Sequence, residues 1–144
     1  MSFTANDITE ARSLAAELKL SGRELLFMHS ASELLEVCNG VGPSWFPARL
    51  RDAASRLHPS MSVASMIHDM RYLRGKGTKE DFLDANAEFE ANSIAVANRL
   101  YCWINPVRYI ARHEAHKFRA LLDGFGWPAY VAAIKERQAR EEGK

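Results

Sequence analysis

Ile67-His68-Asp69-Met70-Arg71-Tyr72 puts an imidazole, a carboxylate and a phenol close together, downstream of the glycine-punctuated segment Cys38-Asn39-Gly40-Val41-Gly42-Pro43. On a helix His68 and Tyr72 stand four apart and share a face, while Asp69 points about 100° away. One helix would then offer a general base and a hard-metal ligand to a single pocket. The glycine segment adds backbone groups: carbonyls free to coordinate a hard cation, and an amide open to a developing oxyanion. The chemistry such a set suits is metal-assisted ester hydrolysis.

The elements that must position these groups read as helices throughout. Ile8, Ala11, Leu14, Ala15 and Leu18 recur at helical spacing, Gly22 interrupts, and the pattern resumes at Leu25, Leu26 and Met28, so the N-terminal third reads as two or three helices. Ser21 with Glu24, and Ser30 with Glu33, have capping-box spacing. Two glycines, two prolines and a serine between Cys38 and Pro47 end the helical pattern and predict a loop. A short helix from about Ala48 to Leu57 follows, and His58-Pro59-Ser60 breaks it.

The next helix, Ser62 to Arg74, carries His68 and Asp69 and ends at Gly75-Lys76-Gly77. Thr78 and Asp81 then open a long helix to about Trp103, with Asn105-Pro106 as the stop. These two form an antiparallel pair. On the long helix Phe82, Phe89, Val96 and Leu100 make one stripe, and Ala87, Ala91, Ala95 and Cys102 a small-residue stripe that also holds Asp84. Val107 to Leu122 and Ala129 to about Glu142 give two further helices, with Trp103, Phe118 and Phe125 expected in the core. No strand pattern of useful length occurs, so the expected fold is all-α, one compact domain: N-terminal helices over 1–37, a central part over 38–103 and C-terminal helices over 107–144.

The chain has 144 residues, 47% hydrophobic and 26% charged, with net charge +1, as expected of a globular domain with its own core. So even a charge balance gives no specific signal for nucleic acid. No apolar run is long enough to span a bilayer, and the first residues carry Asp7 and Glu10 rather than a signal-peptide core, which predicts a cytoplasmic protein. Cys38 and Cys102 are far apart and read as reduced thiols.

The same residues resemble the phospholipase A2 superfamily, in which a glycine-rich calcium loop precedes a His-Asp-x-x-Tyr helix and an antiparallel second helix supplies a further Asp. The helix motif matches at His68, Asp69 and Tyr72, and the loop at Gly40 and Gly42, with Pro43 where a further glycine is usual. Together with the Asp-x-x-x-x-Phe segment that follows, the chain is also similar to a group of uncharacterised phage and prophage proteins over roughly Cys38 to Tyr101. The resemblance implies the following roles. His68 activates a water that attacks a phospholipid ester, Asp84 orients His68, and Tyr72 hydrogen-bonds the orienting carboxylate. Asp69 and the carbonyls of Cys38, Gly40 and Gly42 hold calcium, the Gly40 amide faces the oxyanion, and Trp45 and Phe46, with Trp127, rim an acyl site. The cysteines that usually precede the family histidine are replaced by Ala64 and Ser65, so core packing would have to replace disulfides.

Two other readings stay open. A phage structural, assembly or host-interaction protein on the same scaffold, binding a protein partner or assembling as an oligomer, would need no calcium. A metal-dependent His-Asp phosphohydrolase would need His29 or His58 as a further ligand. Arg108, Arg112, His113, His116, Lys117 and Arg119 form a basic strip whose simplest reading is a solvated helix face, against a phosphate-binding or membrane-surface strip.

Overall fold

A computed structural model describes residues 3–38 and 58–143, and these are helical with no strand among them. The order is α1 (Ala5–Glu17), α2 (Glu24–Met28), α3 (Ala31–Cys38), a 3-10 turn (Pro59–Met61), α4 (Ser62–Leu73), α5 (Lys79–Leu100), α6 (Pro106–Phe125) and α7 (Trp127–Glu142). The all-α expectation holds, and both described cysteines are unpaired. The helix expected over Ala48 to Leu57 lies outside the described residues, as do Gly40, Gly42, Trp45 and Phe46. No helix among the described residues is long and apolar enough to cross a membrane.

Local chemistry sets the helix ends. Thr4 and Asp7 form a reciprocal capping box at α1, with Thr4 N donating to Asp7 at 2.7 Å and Asp7 N to Thr4 Oγ1 at 3.3 Å. The box expected at Ser30 and Glu33 forms, both reciprocal bonds measuring 3.2 Å. The one expected at Ser21 and Glu24 does not. Ser21 Oγ instead donates to Glu88 on α5 at 2.6 Å, and the Ser21 backbone exchanges two bonds with Asn92. Thr78 caps α5 by accepting from Asp81 N at 3.1 Å, and Asn105 caps α6 by accepting from Val107 N at 3.0 Å, with Pro106 in the first turn.

Helix α4 is the centre: it packs against α1, α2, α3, α5 and α7, and eight of its twelve residues are buried. Met66, Ile67 and Met70 face the N-terminal helices and meet Ile8, Leu26 and Leu34. Ala64 turns toward Phe89, Ala115 and Leu122. Tyr72 joins Phe82 and Tyr130, with Trp127 packed edge-on against Phe82. The small-residue stripe is not the face that α5 turns inward. Phe82, Ala85, Asn86, Phe89, Asn92, Ser93, Val96 and Ala97 are buried, while Asp84, Ala91, Leu100 and Cys102 are exposed.

Three glycines sit where a Cβ has no room: on Gly75 it would lie 2.5 Å from the Tyr130 ring. Gly22 has φ +79°, and a Cβ there would lie 2.8 Å from Ile67 Cγ2. A Cβ on Gly126, between α6 and α7, would lie 2.6 Å from the Leu122 carbonyl. Of the aromatics expected in the core, Phe118 is partly buried, whereas Trp103 is 72% exposed and Phe125 41%. Phe82, fully buried among three rings, carries the packing of α4 and α5 on α7. Phe82→Ala is expected to lower the unfolding free energy by about 3–5 kcal/mol in a denaturant titration, and a loss below about 1 kcal/mol would show that this aromatic group is not part of the core.

Candidate functional site

His68 sits on the α5-facing side of α4 between Ala64 and Tyr72, where two apolar groups of the core meet. It is 6% exposed, its ring 4.1 Å from Tyr72 and edge-on to Phe89 at 5.5 Å. Helix α4 thus delivers an imidazole into a largely apolar seam, where Asn86 on α5 is its hydrogen-bond partner among the described residues. His68 Nε2 lies 2.9 Å from Asn86 Oδ1, and Tyr72 donates its hydroxyl to the same oxygen at 2.6 Å. Asn86 Nδ2 in turn donates to Asp123 Oδ1 on α6 at 2.9 Å.

Donor and acceptor chemistry then fixes the proton on His68. A carboxylate only accepts, so the amide nitrogen of Asn86 faces Asp123 and its oxygen faces His68 and Tyr72. An amide oxygen only accepts, so His68 Nε2 carries the hydrogen and Nδ1 is left with its lone pair. Nδ1 points to the side of Asp69, whose Oδ1 is 4.0 Å away, beyond hydrogen-bond distance. Burial holds His68 well below its ordinary value, at about 4, against the opposing pull of the Asn86 bond.

Asp69 keeps 44% of its side-chain surface open. Dense packing around it still desolvates the carboxyl and pushes it up to about 7, a rise that water on its open side moderates. On its far side lies the end of α3. Cys38 is 3% exposed, its thiol 3.8 Å from the Met66 carbonyl, and burial followed by the charge of Asp69 pushes that thiol far up, so it is inert.

The expected residues are thus partly assembled. His68, Asp69 and Tyr72 share one site, and Cys38 adjoins it. Asp84 does not: it is exposed, two positions and about 200° around α5 from Asn86, which takes the orienting place. An amide stands where a carboxylate was expected. The sequence signal for Asn86 is a polar residue inside the buried stripe Phe82-Ala85-Phe89. Behind Asn86 the polar chain continues to the surface, since Arg119 lies 3.6 Å from Asp123 and 3.0 Å from Glu90, which His116 also meets at 2.9 Å. Burial raises the Glu90 carboxyl, but the bonds from His116 and Arg119 outweigh it and hold the group below its ordinary value. His116 and Arg119 of the basic strip are therefore engaged, and Lys117 pairs with Glu114 at 3.5 Å.

For a hard cation the donors fit in kind. Asp69 supplies a carboxylate, and α3 ends beside it at Cys38. The described residues bring one carboxylate to this point, and no group of three His, Cys, Asp or Glu side chains among them is placed to hold a metal. His29 and His58, the further ligands a phosphohydrolase would need, are bonded to Glu33 at 3.1 Å and to Ser60 at 2.8 Å. Comparison with protein-family models, with curated proteins and with solved structures finds no match in any of the three.

The two shifted groups titrate in opposite senses. His68, depressed from 6.5 to about 4, contributes stability that is complete above pH 6.5 and lost as pH falls toward 4. Asp69, raised from 3.8 to about 7, contributes stability present below 3.8 and lost as pH rises through 7. Between those limits the folded chain keeps its proton on Asp69 and the unfolded chain keeps it on His68, so the two trends offset. Asp69→Asn removes one of them. Its unfolding free energy, followed by denaturant titration, should fall more steeply than that of the wild type from pH 6.5 to 4. Equal slopes, or ¹⁵N shifts showing a hydrogen on His68 Nδ1 at neutral pH, would overturn the proton assignment.

Proposed function

We propose that the chain is a phospholipase A2-like hydrolase in which His68 Nδ1 is the general base. The observation that supports this reading is the fixed tautomer: Nε2–H is held by Asn86, so the lone pair on Nδ1 faces the carboxylate of Asp69. A water beside Nδ1 gives its proton to the ring as its oxygen bonds to the ester carbonyl, whose π electrons move to oxygen. On collapse the ester C–O bond breaks and the departing alkoxide takes the proton back from Nδ1. Calcium, held by Asp69 and the carbonyls of Cys38, Gly40 and Gly42, would polarise that carbonyl. Tyr72 keeps Asn86 in place, and Phe89 and Ala64 exclude water from the back of the ring.

One observation favours a second reading, a binding or assembly protein on the same scaffold. The neutral amide of Asn86 cannot stabilise an imidazolium by charge, and burial already disfavours one. Exchanging the two groups separates the readings. Asn86→Asp with Asp123→Asn places a carboxylate on His68 Nε2–H and keeps the total charge, moving it from the half-buried position of Asp123 to the buried one of Asn86. Hydrolysis of a short-chain phosphatidylcholine in calcium should rise at least about tenfold in that double variant and vanish in His68→Ala. Calcium binding by calorimetry should be lost in Asp69→Asn and weaken in the wild type as pH falls through about 7, where a proton competes for the carboxylate. No calcium heat and no hydrolysis in either protein would leave the second reading.

A further inference from the structure

The corner between α5 and α6 exposes more apolar surface than any other described part of the chain. Leu100 is 49% exposed, Trp103 72%, Ile104 67%, Tyr109 51% and Ile110 55%. Leu100 ends α5, Trp103 and Ile104 lie in the link, and Tyr109 and Ile110 lie in the first turns of α6. Tyr109 reaches back from the first turns of α6 to donate its hydroxyl to the Trp103 carbonyl at 2.6 Å, which holds the 101–105 link against the helix. Asn105 caps α6 at the same place. An exposed apolar cluster of this kind marks an interaction surface.

Charge decides what it meets. From Ala91 to His113 the sequence holds Arg99, Arg108, Arg112 and His113 and no Asp or Glu. Arg99 is paired with Glu17 at 2.9 Å. Arg108 bonds the neutral Asn98 through Nε at 2.8 Å, which anchors its stem and keeps its full charge beside the tip. Arg112 stands one turn further along α6. The tip is thus an apolar and aromatic point beside Arg108 and Arg112, neither of which is paired with a carboxylate among the described residues. A second copy docked symmetrically on this face would bring these arginines against their own copies, like charge on like charge. An anionic bilayer surface has the complementary order: acyl chains for Trp103 and Ile104, and phosphate and carboxylate groups at the depth of the arginines.

We propose that the α5–α6 corner docks the protein on anionic phospholipid membranes, with Trp103 and Ile104 entering the interface and Arg108 and Arg112 at headgroup level. About 20 Å of α5 separates this corner from Asn86, given fourteen residues at the helical rise. Membrane docking is therefore independent of the chemistry proposed at His68, and it is read without turnover.

Cys102 lies in the tip and is exposed, whereas Cys38 is buried, so a polarity-sensitive fluorophore can be placed at Cys102 selectively. Vesicles of phosphatidylcholine mixed with phosphatidylserine should shift its emission to the blue and co-sediment the protein, while phosphatidylcholine alone does so weakly. Removing an arginine, in Arg108→Gln or Arg112→Gln, should weaken partitioning about fivefold each, and Trp103→Ser with Ile104→Ser by more than about tenfold. All four positions lie outside the core, and an unchanged far-UV circular dichroism spectrum confirms that each variant folds. Absence of co-sedimentation with the mixed vesicles would overturn the proposal. So would binding unchanged in the serine double variant, or a blue shift that grows with protein concentration without lipid, which would assign the face to a second copy.

Discussion

The arrangement of α4, α5 and α6 turns on the buried side-chain amide of Asn86. Its oxygen takes hydrogens from His68 and Tyr72 on one helix and its nitrogen gives one to Asp123 on another, in a seam otherwise lined by Phe89, Phe82 and Ala64. A buried amide stripped of its partners costs about 1–3 kcal/mol, so the three bonds restrain the register of three helices together. Rotation of α5 by one residue would place Ala85 or Ala87 opposite His68 and leave a ring nitrogen, a phenol and a carboxylate without their partner. The apolar contacts around the seam tolerate small shifts; the amide does not, which is why it specifies the packing.

The same constraint sets the chemistry open to the site. An amide can present either end, and in serine proteases the change from the orienting carboxylate to an amide preserves geometry while stabilising the wrong tautomer of the base. Here Asp123 decides the matter, because it claims the nitrogen and turns the oxygen toward the imidazole. Orientation is retained and charge stabilisation is not. His68 is therefore oriented and held neutral, and Asp69 on its other side holds a proton more readily than an isolated carboxylate would.

Much of the fold was legible because helix ends are written in short-range chemistry. Thr78 with Asp81 and Ser30 with Glu33 each act within four residues, and each cap forms where its spacing puts it; Asn105-Pro106, read as the stop of the long helix, instead opens α6, while the long helix ends earlier, at Leu100. Ser21 had the same spacing and failed, because Glu88 and Asn92, remote in sequence, offer it better partners than the first turn of a five-residue helix. Asp84 and Asn86 show the same limit at the site. Both lie on α5, and which one faces α4 depends on a helical phase that Phe82, Ala85 and Phe89 set by burial. The alanine stripe suggested the other phase, since small residues permit close approach on either side. The motif His68-Asp69-x-x-Tyr72, contained within little more than one turn, needed no such knowledge, and the structure brings its parts together.

Helix α5 also explains why the two ends of the molecule differ. Its first half is tied to α4 and α7 by Asn86, Phe82 and the bond from Tyr130 to Asp81, and its middle to the N-terminal region through Glu88 and Asn92. Beyond Ala97 the helix is exposed at Asn98, Arg99 and Leu100, with Asn98 bonded to Arg108 and Arg99 paired with Glu17. Leaving Trp103 and Ile104 in water contributes nothing to the core, and it needs the Tyr109 and Asn105 bonds to stay ordered. The Tyr109 bond ties the link to the first turns of α6 and Asn105 caps that helix, so the exposed aromatic and aliphatic groups are carried on a tethered corner of a helix whose other end is fixed by the buried amide.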